Sequence, residues 1–182
     1  MHRGGVVPAA LRGDAAMTES HFPPATSAGV RNLRVLGPSM PVRLEIPAIG
    51  VSTGVVPIGL RVDHTLDVPP AHGDAPAAWY RKSPSPGEMG SSLIAGHVGA
   101  ADGAPAVFFR LRLLRPGDRI AVRRADHSVA RFAVVGVGIY PTGALPTDQA
   151  YGPSDQPTLT LLTVGGEQDR SLVVSARLLA SD

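Results

Sequence analysis

From residue 41 onward the apolar residues of this chain come in short stretches, many alternating with polar residues and broken by glycine, proline and other turn formers. In "PVRLEIPAIG", Val42, Leu44 and Ile46 alternate with Arg43 and Glu45, the period of a strand with one buried face. Further stretches of the same kind follow: "TGVVPIGL", "TLDVP", "SSLIAGHV", "RIAVRR", "VARFAVVGVGIY", "TLTLLTV" and "SLVVSARLL". Turn signals separate them, among them "RPGD" before Arg119 and "RADHS" between two stretches placed to pair as a hairpin. Only "APAVFFRLRLL" reads as a short helix or a single helical turn. Many short strands with little helix predict an all-β domain closed, or nearly closed, into a barrel.

A chain of 182 residues is most simply one such domain with extra length at an end. Residues 1–40 lack sustained periodicity and contain "HFPPATSAGVRN" and "LGPSM", so they are expected to form a flexible N-terminal extension, with the folded domain at 41–180. The 21 glycines, 18 prolines and only 4% aromatics fit many turns joining short elements. With 17 basic against 15 acidic side chains, no Lys/Arg run and few aromatics, a nucleic-acid partner is not expected. There is no cysteine, which excludes disulfides, thiolate metal sites and thiol nucleophiles. No stretch approaches the roughly 18 apolar residues of a membrane span. The opening "MHRGGVVPAALRGD" makes a poor signal peptide.

Of the six histidines, His97 stands out. It follows an apolar strand in "SSLIAGHVGAADG", among small residues, where a strand end presents a side chain without crowding. Histidine there suits acid–base work, although a lone histidine is more often structural. His64, His72 and His127 lie in turn-like contexts, and His2 and His21 in the extension. Neither the histidines nor the scattered Asp63, Asp67, Asp74, Asp102, Asp118 and Asp126 have the spacing of a metal site, and no cofactor is expected. Val164 ends a strand just before Gly165-Gly166, a place where a reactive side chain is often presented. Arg170 opens the last strand. At a barrel mouth it could bind an oxyanion or a carboxylate, although an exposed strand arginine is usually solvated.

Taken in order, "RLEIPAIGV", "HTLDVPP", "AAWYRKSPSPGEMGSSLIAGHV", "FFRLRLLRPGDRI", "PTDQAYG" and "LTLLTVGG" resemble an actinobacterial sortase of the class E or class F type. The resemblance runs over about residues 42–179, and "AGHV" and "LLT-x-GG" are its specific segments. It implies a closed barrel of about eight strands with one or two short helices. It also implies a cysteine transpeptidase that cleaves an LPXTG-type sorting signal at the Thr–Gly bond and joins the threonine to an amine acceptor at the cell surface. In such an enzyme a thiolate attacks the carbonyl, a histidine protonates the leaving amine and an arginine stabilises the oxyanion. By resemblance the histidine is His97 and the cysteine position is Val164. The partners implied are a sorting-signal peptide and an amine acceptor, with the chain a monomer.

Valine has no lone pair with which to attack a carbonyl, so the covalent route is closed. Thr163 is the neighbour, but successive strand side chains point to opposite faces. A triad-type enzyme without its nucleophile keeps only about 10³–10⁴-fold catalysis over water. The arginine has two registers. In one, Arg170 before "SLVV" takes the family place; in the other that place falls on Asp169 or is deleted. Val164 is either an engineered or a natural change, and the short "GGEQD" beside it favours the natural one. Three readings follow: an inactive form of the enzyme, a peptide-binding pseudo-sortase, and a hydrolase using His97 as base on water.

Overall fold

A computed structural model describes residues 33–141, 154–165 and 170–180. Residues 1–32 of the expected extension, "PTDQAYG" and residues 166–169 lie outside the described residues. Eight strands appear in chain order: β1 (Pro41–Ile46), β2 (Val51–Ile58), β3 (Ala77–Tyr80), β4 (Ser91–His97), β5 (Arg119–Arg124), β6 (Val129–Pro141), β7 (Thr158–Val164) and β8 (Arg170–Leu178). They close into a barrel in the order β1-β2-β3-β4-β7-β8-β6-β5. Among the described residues helix is confined to two 3-10 turns, Pro47–Ile49 and Leu111–Leu113. The all-β barrel expected from the strand pattern is the architecture found, and "APAVFFRLRLL" supplies the second of the turns.

Alternation sets the faces. Leu44 and Ile46 of β1 point inward and are fully buried and Arg43 is exposed; Val42, expected on the buried face, is exposed as well, where the β1–β5 register shifts between Pro41 and Arg43. The interior is filled by Leu44, Ile46, Ile94, Phe108, Leu111, Phe132, Leu159, Leu161 and Val174 among others, one contiguous core. Strands β4 and β7 depart from alternation. They run parallel, in register from Ser91↔Thr158 to His97↔Val164, and are buried on both faces. A parallel strand covered on both sides reads as a continuous apolar run, which is how "SSLIAG" and "LTLLT" read. With Val173 of the neighbouring β8, Leu93 of β4 and Leu162 of β7 form a second small cluster, covered by Leu66, Tyr80 and Tyr140.

Two strand assignments need correction. "TLDVP" is not a strand; it contributes only the isolated bridge Leu60↔Leu66 in the long β2–β3 connection. Its alternation is that of a small hairpin-like excursion stitched by Arg61 N–H to Thr65 O and Asp67 N–H to Gly59 O. The strand in this part of the chain is "AAWY", β3, which pairs parallel to β2 and antiparallel to β4. Two consecutive alanines hid its period.

Candidate functional site

Strands β4 and β7 end side by side. The last ladder pair between them is His97 with Val164, so the two residues share one end of the barrel by register alone. Just before His97, Gly96 lets the following segment press against the strand: a Cβ there would stand 2.6 Å from the Phe108 ring and 2.8 Å from Val107. The backbone of His97 is held in turn, its carbonyl accepting from Phe108 N–H at 2.9 Å.

The imidazole is half-buried. Its Nε2 donates to the Pro69 carbonyl at 2.7 Å, across 28 residues of chain, which pins the β2–β3 connection over the histidine. The other nitrogen faces the turn after β7, where a Cβ on Gly165 would stand 3.7 Å from Nδ1. Gly165 has φ +68, in the left-handed region that glycine enters without strain, and this lets the chain leave β7 beside the ring.

Val164 is half-buried and turned outward, whereas Thr163 is buried and turned away. The Thr163 hydroxyl accepts from Leu172 N–H at 2.7 Å and so ties β7 to β8. It is committed to the backbone and does not share Val164's surface. Arg170 opens β8 opposite Pro141 of β6 and is exposed.

His97 and Val164 form one end of a groove of about 1010 Å³. Its floor is Val56, Pro57 and Ile58 of β2, and its wall is the β2–β3 connection, from Leu60 and Arg61 through Leu66 and Asp67 to Pro69 and Pro70. Arg81, just beyond β3, completes it. Arg170 is not among the lining residues, so the fold brings together two of the three residues singled out in the sequence. Arg61, Asp67 and Arg81 are the groove residues that sequence reasoning missed. Arg61 Nε and Asp67 Oδ1 pair at 3.0 Å, and both are exposed. No charge run marks any of them in the sequence. They meet because a parallel β2–β3 pair needs a long connection, which folds back over the barrel end.

Chemically, the arrangement offers an oriented imidazole beside an apolar side chain, both lining one groove. Among the described residues no three His, Cys, Asp or Glu side chains cluster as a metal site would require.

The barrel resembles solved sortases. Over 78% of this chain and 79% of the other, it matches a Clostridium perfringens sortase D5 transpeptidase at TM-score 0.59 and 21% identity. Sortase A from Corynebacterium diphtheriae, a lid mutant, matches over 81% and 74% at TM-score 0.62 and 16% identity. Sortase C-1 from Actinomyces oris matches over 80% and 76% at TM-score 0.61 and 19% identity. At these identities the likeness is one of fold. No protein of curated function matches the sequence. The sequence itself carries the sortase domain over residues 44–179, from the first inward leucine of β1 to just past β8, and the chain belongs to the sortase family.

Proposed function

We propose that this sortase-family barrel binds extended peptides of the sorting-signal kind in the groove that ends at His97 and Val164, and does not join them to an acceptor. The supporting observation is the pairing of His97 with Val164 beside one groove; on this reading Val164 takes the place of the family cysteine. A valine side chain forms no thioester, and Thr163, the nearest hydroxyl in sequence, is spent on Leu172. Valine is close to cysteine in size, and a free cysteine packs as a small hydrophobe, so the substitution leaves the groove wall in place. On this reading the chain is a non-catalytic relative of the class E or class F enzymes, acting as a monomer at the cell surface on the signal peptides of surface proteins.

Val164→Cys tests it. The variant is incubated with an LPXTG-type peptide and an amine acceptor, and ligation is followed by mass spectrometry, beside peptide binding to the unaltered chain. Binding without ligation by the unaltered chain is expected. Ligation by the cysteine variant would show that only the nucleophile had been lost; binding with continued silence would show that the rest of the machinery had drifted too. Absence of binding to either protein would overturn the proposal. Arg170 is proposed as the family arginine. If ligation is recovered, adding Arg170→Ala should lower it about 10²–10³-fold, the usual effect of losing an oxyanion partner. An unchanged rate would remove Arg170 from the site.

A further inference from the structure

Arg81 lines the same groove as His97 and Val164. Of the groove's two arginines, Arg61 is matched by Asp67. Among the described residues no carboxylate pairs with Arg81. Its backbone is fixed, the N–H donating to Ile58 O at 3.0 Å. Its guanidinium rests against the bare backbone of Gly59: a Cβ there would stand 3.4 Å from Nη2, 3.7 Å from Nε and 3.8 Å from Cζ. The guanidinium thus lies in van der Waals reach of the Gly59 position on the groove wall. A planar donor fork there matches a carboxylate.

Register supplies the spacing. Trp79 pairs with Ile94, so Arg81, two residues on, lies toward the start of β4, while His97 is three residues beyond Ile94 at its end. Five residue steps along a strand span roughly 17 Å. An extended peptide covers that in about five residues.

Resting on the peptide-groove reading above, we propose that Arg81 selects peptides carrying an acidic side chain about five residues from the residue seated between His97 and Val164. With Arg61 already neutralised, the groove has one cationic seat for one carboxylate.

The test uses fluorescent peptides, acetylated and amidated, with a central Leu-Pro-Ala-Thr-Gly in neutral flanks and a single Glu moved one position at a time through both flanks. Affinity is read by anisotropy. Binding should be about two- to fivefold tighter at one Glu position and its immediate neighbours, an exposed ion pair's worth, and the gain should shrink with added salt. Arg81→Gln should abolish the gain, so that the Glu-bearing and all-neutral peptides bind equally. Arg81→Glu should reverse the preference toward a Lys placed at the same position. Equal binding of all peptides, or a preference that survives Arg81→Gln, would overturn this inference and leave the peptide groove standing. A gain that follows a free C-terminal carboxylate in place of the Glu would overturn it too. Failure of every peptide, the neutral one included, would overturn both proposals.

Discussion

At the residue scale, Thr163 and Val164 show how one strand divides its labour. Strand alternation requires that if one faces the groove the other cannot. Thr163 is the buried one, with its hydroxyl on Leu172 N–H at 2.7 Å. Thr163→Val keeps the shape and removes the acceptor, leaving a buried amide unsatisfied. The expected cost is about 1–3 kcal/mol of stability, read by urea denaturation; a change below a few tenths would mean that the bond is not a tie between β7 and β8. Gly96 predicts a second residue-scale effect. A methyl there meets the Phe108 ring at 2.6 Å, so Gly96→Ala should cost about 1–3 kcal/mol by overpacking and should also weaken peptide binding by displacing His97. His97 and Val164 were legible because both sit at the ends of apolar stretches before small residues. Arg81 was not. Its meaning comes from Gly59, a neighbour across a parallel strand pair and 22 positions earlier in the sequence, and strand alternation carries no such information.

At the scale of elements, two turns share one chemistry. In Asp63-His64-Thr65 and Asp126-His127-Ser128 the histidine adopts a left-handed conformation, with φ 64 and 66. In each, the aspartate Oδ1 accepts from the backbone N–H and the hydroxyl two residues on, at 3.0 and 2.6 Å. This places two of the six histidines in turn geometry. The hydroxyl of Thr65 or Ser128, followed by its backbone N–H, lowers the pKa of the aspartate it faces. A lowered pKa means that the ionised form favours the folded turn. That contribution is present above the ordinary carboxylate range and is lost as pH falls through the lowered value. Asp126→Asn should therefore reduce thermal stability near neutral pH, and the gap to the unaltered chain should close in acid. A gap independent of pH would show that charge plays no part in the turn. "RADHS" announced its hairpin because aspartate and serine are turn formers and both flanking strands alternate. "DHT" carries the same turn, yet its flanks add only one bridge, so alternation in the "TLDVP" that overlaps it suggested a strand that did not form. β4 and β7 were found as apolar runs, but their parallel pairing depends on the crossover between them, which composition does not specify.

At the scale of the molecule, barrel closure leaves one problem at the end of β5. Arg124 is 2% exposed, its guanidinium donates to the Gly37 carbonyl, and its Nε and Nη1 have no partner among the described residues. Asp126, half-exposed, stands 3.9 Å away. What covers this arginine is the stretch ahead of β1. Leu36 N–H donates to Gly87 O at 2.9 Å, Ser39 N–H to the Ser85 hydroxyl at 3.0 Å, and Ala125 N–H to Met40 O at 2.8 Å. Residues 33–40 thus act as a strap fastened to both the β3–β4 and β5–β6 connections, and we propose that the folding unit includes this strap. A chain beginning at residue 41 should be about 2–4 kcal/mol less stable than one beginning at residue 33, since several hydrogen bonds of about 1 kcal/mol each go and a buried cation loses its carbonyl. Arg124→Met separates the two causes. If the unmatched charge dominates, the substitution restores much of the loss in the shorter chain, because an apolar side chain of similar length asks for no partner. If the strap acts only through its backbone bonds, the substitution leaves the difference between the chains as it was. Equal stability of the two truncated chains before any substitution would return the domain boundary to residue 41 and leave the strap without a structural part.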